Sequence, residues 1–95
     1  MNPQKVVRKR TKKLTDLPNI GKSLAKDLER IGIDTPKKLE GKDPYKLYKK
    51  LCEETGMRQD PCVLDVLMSI TDFMDGGEPK VWWAFTAERK EKYKI

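Results

Sequence analysis

Histidine is absent from the 95 residues. That excludes imidazole proton transfer, a serine–histidine nucleophile pair and histidine metal ligands together. Cysteine is nearly absent. Cys52 and Cys62 stand ten apart with no second pair, so no zinc motif can be read. Two reduced, part-buried thiols in an intracellular, cytoplasmic chain are expected. No long uncharged apolar run is present, so no membrane span is expected. The N-terminal positive charges have no apolar stretch behind them, which argues against a secretory signal. Acidic side chains are missing from residues 1–15, which hold Lys5, Arg8, Lys9, Arg10, Lys12 and Lys13. The other 80 residues carry fifteen charges of each sign, so the whole +6 excess sits in those first fifteen. A basic arm attracts nucleic acid without reading sequence and in a salt-dependent way; a merely solubilising tail has the same composition.

What is present reads as one small helical domain. Residues 1–12 are expected to be a flexible basic arm and residues 13–95 a single domain. Charged residues make up 38% and apolar residues 37%, and no segment alternates as a half-buried strand would. Thr11 to Leu17 is expected to be a short first helix, and residues 22–31 a second one stopped by Gly32. Three later segments open on an oxygen-bearing residue followed by proline and close on glycine. They are Thr35-Pro36 to Gly41, Asp43-Pro44 to Gly56, and Asp60-Pro61 to Gly76. The last of these is the most apolar and is expected to be the central strut. Asp72 and Asp75 near its C-terminus oppose the helix dipole. Val81 to Phe85 reads as the one stretch that could be extended. Of Trp82 and Trp83 there, one is expected to cover the core and the other to be partly exposed; the pair either caps the core or stacks on bases. Thr86 is expected to cap a last helix, Ala87 to Tyr93, carrying a Glu88–Lys92 pair.

The stretch from Asp16 to Leu28 organises the rest. An apolar lead-in, Leu14 and Leu17, reaches a Pro18-Asn19-Ile20-Gly21 turn. A helix then follows with Leu24, Ala25, Leu28 and Ile31 on one face. The first turn of a helix leaves amide N–H groups unpaired, and these attract anions such as phosphate. Gly21 lets another molecule approach the backbone closely, Lys22 and Lys26 add positive charge, and Ser23 can donate a hydrogen bond. The plainer alternative is a tight turn that binds nothing. The lysines of segment 44–55, Lys46, Lys49 and Lys50, are read as a solvated face.

Leu17, Pro18, Ile20, Gly21 and Ala25 stand where the helix-hairpin-helix motif has its characteristic residues, and the stretch resembles that motif. Asn19 replaces a common glycine, at a position expected to need positive φ, which Asn tolerates. The wider pattern adds Gly32-Ile33, Asp43-Pro44 with Leu47-Tyr48, and Leu51-Cys52. It continues through Asp60-Pro61-Cys62-Val63-Leu64-Asp65 to Trp82-Trp83 with Arg89-Lys90. With these, residues 14–90 resemble the bacterial pathogenicity-locus family, whose members are also labelled mitomycin resistance proteins. The basic tail falls outside that resemblance. The front half, through Leu39, is also similar to the C-terminal domain of TfoX-type competence regulators.

The resemblance implies an all-α, SAM-like bundle of about five helices with one helix-hairpin-helix motif. It implies a nucleic-acid contact made by Pro18, Asn19, Ile20, Gly21, Lys22, Ser23, Leu24 and Lys26. In that contact the amides of Gly21, Ser23 and Leu24 hold phosphate oxygens. It also implies a K⁺ or Na⁺ ion at the carbonyls of Thr15, Leu17 and Ile20, with no other cofactor. The expected partner is duplex DNA, bound without sequence preference from its minor-groove side. The competing expectation is a protein-interaction adaptor, with a protein partner or a homodimer. Catalysis is not expected. Asp60, Cys62 and Asp65 form the one reactive-looking cluster, in which the helix start could lower the Cys62 pKa, but no histidine is there to act as base.

Overall fold

The computed structural model describes residues 11–95, and all of their regular structure is helical. The expected arm therefore lies outside the described residues, apart from Thr11 and Lys12. Four α-helices run in order: α1 (Lys22–Arg30), α2 (Pro44–Thr55), α3 (Pro61–Met74) and α4 (Thr86–Tyr93). Three short 3-10 segments link them, at Leu14–Asp16, Pro36–Leu39 and Trp82–Phe85.

The clearest boundary signals hold. Asp43 accepts a hydrogen bond from the Tyr45 amide at 2.9 Å, and Asp60 does the same for Cys62 at 2.9 Å. Each is followed by proline at the first helical position. Gly56 ends α2 with φ 68°, the left-handed conformation glycine reaches without penalty.

Other boundaries shift. The expected first helix, Thr11 to Leu17, shrinks to the turn Leu14–Asp16. Leu17 precedes Pro18 and is extended (φ −71°, ψ 153°), because the proline ring disfavours the α conformation in its predecessor. The segment after Pro36 is a 3-10 turn ending at Leu39. The stretch around Trp82 is not extended but coils as a 3-10 turn. Thr86 lies inside α4 rather than capping it, because its hydroxyl donates to Asp65 Oδ2 at 2.7 Å. The expected Glu88–Lys92 pair does not form. The ion pairs among the described residues are Lys38–Asp34 and Arg89–Asp65.

Helix α3 is the strut that the others surround. It is apolar on nearly every side, and every residue from Leu64 to Thr71 is buried. It packs on α2, α4 and the 3-10 segments at Pro36–Leu39 and Trp82–Phe85. Helix α1 packs on α2 and on the first 3-10 turn. Leu17, Ile20, Leu28, Leu39, Leu51 and Phe73 fill the space between.

The polar side chains inside α3 are all satisfied. Ser69 Oγ donates to the Val66 carbonyl at 2.6 Å, and Thr71 Oγ1 to that of Leu67 at 2.9 Å. Both acidic residues near its C-terminus hold a turn, Asp75 through its carboxylate and Asp72 through its backbone carbonyl. Asp75 Oδ1 accepts the Gly41 amide at 2.8 Å, tying the Pro36–Leu39 segment to α3. The Asp72 carbonyl accepts the Gly77 amide at 2.8 Å. Gly77 lies so close there that a Cβ would stand 2.1 Å from Asp72 Oδ2.

Candidate nucleic-acid interface

The turn before α1 is set by its side chains. Asp16 Oδ2 accepts the Lys13 amide at 2.9 Å and the Lys12 amide at 3.1 Å, closing the first 3-10 turn. These amide donors hold the Asp16 carboxyl below its ordinary pKa. Leu17, Pro18 and Ile20 are buried and anchor the turn on the core. Asn19 between them has φ 66°, the positive value expected from its glycine-like position. Its side-chain amide donates to Ser69 Oγ at 3.1 Å and to the Lys80 carbonyl at 2.8 Å.

Gly21 is exposed and extended, and no side chain caps the helix it opens. Ala25 is the first residue whose amide finds an acceptor, the Gly21 carbonyl at 3.1 Å. Among the described residues, the amides of Gly21, Lys22, Ser23 and Leu24 donate to nothing within the protein. Lys22, Ser23 and Lys26 are exposed around them.

The eight expected contact residues therefore separate by role. Gly21, Lys22, Ser23 and Lys26 face solvent. The side chains of Pro18 and Ile20 are in the core, and Leu24 packs against it, so these three can offer a ligand only backbone. Asn19 spends its side-chain donor on the fold.

Cys52 and Cys62 are free thiols. The Cys62 pKa is raised rather than lowered, chiefly because its thiol hydrogen-bonds to Asp60 and partly through burial. The helix-start effect expected from sequence is outweighed by that carboxylate. Asp65 has turned inward. It is fully buried and accepts from Arg89 Nε at 2.7 Å. The three members of the cluster thus serve as a helix cap, a shielded thiol and half of an ion pair. Among the described residues, no group of His, Cys, Asp and Glu side chains could hold a metal ion.

Two further surface features stand out; the split of the tandem tryptophans into one half-buried and one exposed ring was expected from sequence, and the second feature was missed. Trp83 is 62% exposed, with the half-buried Trp82 edge-on to it at 5.4 Å between ring centroids. A cleft of about 590 Å³ lies between the Pro36–Leu39 segment and α2, and lysines from both line it. The lysine of each i, i+4 step was visible, but not that α2 turns them toward a second lysine-bearing segment.

A family model described as Pathogenicity locus (Cdd1) matches residues 7–91. The chain belongs to the pathogenicity-locus family. The match starts at residue 7, so the last part of the basic arm falls inside it, contrary to the sequence expectation. This pathogenicity-locus chain is also similar to the mitomycin resistance protein McrB of Streptomyces lavendulae. The two are 44% identical over 77 residues, which cover 81% of this chain and 73% of that protein. No solved structure matches. The family span encloses the uncapped start of α1, the lysine cleft and both partners of the buried ion pair.

Proposed function

We propose that this pathogenicity-locus protein is a non-enzymatic DNA-binding module. In this reading Leu14–Asp16, the Leu17–Gly21 turn and α1 form a helix-hairpin-helix with a shortened first limb, within a SAM-like bundle. The observation that carries the reading is the row of unpartnered amides at Gly21, Lys22, Ser23 and Leu24. Such a row, at the positive end of a helix dipole, suits phosphate oxygens. The fixed turn behind it keeps the donors in place without a ligand. Lys22 and Lys26 supply charge, while Pro18, Asn19 and Ile20 set the backbone path. Phosphate contacts of this kind orient a duplex but read little sequence.

The carbonyls of Thr15, Leu17 and Ile20 accept no hydrogen bond among the described residues, so their lone pairs suit a K⁺ or Na⁺ ion. Such an ion would stiffen the turn and add one positive charge near the phosphate.

Fluorescence anisotropy with a labelled duplex at two salt concentrations tests the reading. Expected are micromolar, sequence-tolerant binding that weakens with salt, and a further loss in Lys22→Glu with an unchanged circular dichroism spectrum. A second reading, a protein-interaction adaptor, is favoured by the exposure of Trp83. It takes over if the protein fails to bind duplex at low salt.

A further inference from the structure

The strongest concentration of unpaired charge lies away from the hairpin turn. Five lysines line the cleft: Lys37 and Lys38, Lys42, and Lys46 with Lys50 one turn apart on α2. Two acids, Glu40 and Asp43, line it as well. The Asp43 carboxylate is occupied in capping α2, and Lys38 is paired with Asp34 at 2.7 Å. Lys37, Lys42, Lys46 and Lys50 have no ion-pair partner among the described residues. Residues 11–95 as a whole carry seventeen basic and fifteen acidic side chains, an excess of two. The cleft alone has an excess of three, so the remaining described surface is slightly acidic. Clustering of like charge costs stability unless an anion offsets it. Buried Ile31, Ile33 and Leu47 line the cleft and tie it to the core.

The position of the cleft relative to α1 suggests what the anion is. Lys22, Lys26 and Arg30 are exposed and spaced i, i+4, i+8, so they run along one side of α1. The row starts at the uncapped amides. It ends next to Ile31-Gly32-Ile33, which form one wall of the cleft. Its length is about 12 Å. That matches three to four phosphates of one strand, at about 3.4 Å of axis each. Glu29 interrupts little, because it lines a separate recess with Lys12 and Lys13.

We propose that the lysine cleft is a second phosphate-binding site, and that one nucleic-acid strand passes from the hairpin turn along Lys22, Lys26 and Arg30 into it. The path rests on the DNA-binding reading above, but the cleft can be tested apart from the turn. Labelled single-stranded and duplex DNA are titrated over a series of salt concentrations. The proteins are the wild type, Lys46→Gln/Lys50→Gln, Lys22→Glu, and a control pair outside the cleft, Lys49→Gln/Lys90→Gln. Removing two lysine–phosphate pairs is expected to lower the slope of log affinity against log salt by about 1.8 on duplex or about 1.4 on single strands. The control pair leaves the slope unchanged, and Lys46→Arg/Lys50→Arg restores it. A larger absolute effect on one DNA form identifies the form that fills the cleft. Equal slopes in the cleft and control pairs overturn the cleft site. Loss in Lys22→Glu with the cleft pair intact also overturns it and leaves the hairpin reading standing. Loss in the cleft pair with Lys22→Glu intact keeps the cleft and removes the hairpin.

Discussion

Asn19 shows how one residue can satisfy the backbone and the fold together. Its φ of 66° is a conformation that glycine adopts freely and most other residues resist by about 1–2 kcal/mol. Glycine would meet that demand but would lose the two bonds to Ser69 and Lys80. Those bonds link the turn to α3 and to the chain ahead of Trp82. A hydrogen bond of this kind contributes about 1 kcal/mol net. Asn19→Gly is therefore expected to destabilise the protein by about 1–2 kcal/mol, because neither bond can form. Asn19→Ala should cost about 1 kcal/mol more, through backbone strain. Urea unfolding of the three proteins decides it. If Ala and Gly are equally stable, the left-handed conformation is not what the site demands. If Gly matches the wild type, the side-chain bonds contribute nothing. The positive φ was legible in sequence because the turn pattern fixed the position. The partners were not, since Ser69 and Lys80 are 50 and 61 residues away.

At the scale of elements, legibility followed how local the cause was. Helices α2 and α3 could be placed because capping oxygen, proline and glycine lie within a few residues of each boundary. The expected first helix could not, because the apolar spacing of Leu14 and Leu17 suggested a helix that Pro18 forbids at Leu17. The attachment of α4 depends on a pairing that no local pattern reveals. Its Arg89 side chain is buried against Asp65, reaching across 24 residues, and also donates to the Ile95 carbonyl. Thr86 donates to the other carboxylate oxygen. Asp65 is fully buried and Arg89 nearly so, so each charge depends largely on the other for solvation. Asp65→Ala strands a buried guanidinium and is expected to cost about 3–5 kcal/mol. The double variant Asp65→Leu/Arg89→Met removes both charges, and it should recover most of that loss. Thermal unfolding of the single and double variants measures the difference. A double variant as unstable as the single one would mean that α4 is held by the geometry of the pair rather than by charge balance.

For the whole molecule, the distribution of charge is what joins fold to function. Sequence showed the +6 excess in residues 1–15 and a neutral remainder. It did not show that the neutral remainder is divided, with a lysine cleft on one side and weakly acidic surface elsewhere. That division arises only when Pro36–Leu39 and α2 are brought together by Leu39, Leu47 and Leu51 in the core. The amides at the start of α1 were legible, since a glycine in the capping position leaves them without a side-chain partner. The arm and the folded body can then be separated experimentally. A protein lacking residues 1–10 loses Lys5, Arg8, Lys9 and Arg10. If the arm follows the backbone of bound duplex, its removal should reduce the salt slope by up to about 3.6, or about 0.9 for each phosphate no longer neutralised. The amides and the cleft remain, so residual binding should persist at low salt and still respond to Lys22→Glu. Anisotropy on the shortened protein measures both quantities. Abolition of all binding, with an unchanged circular dichroism spectrum, would place the affinity in the arm and leave the hairpin without a role. A slope identical to that of the full chain would show that the arm never touches DNA, and the folded body would then supply every phosphate interaction.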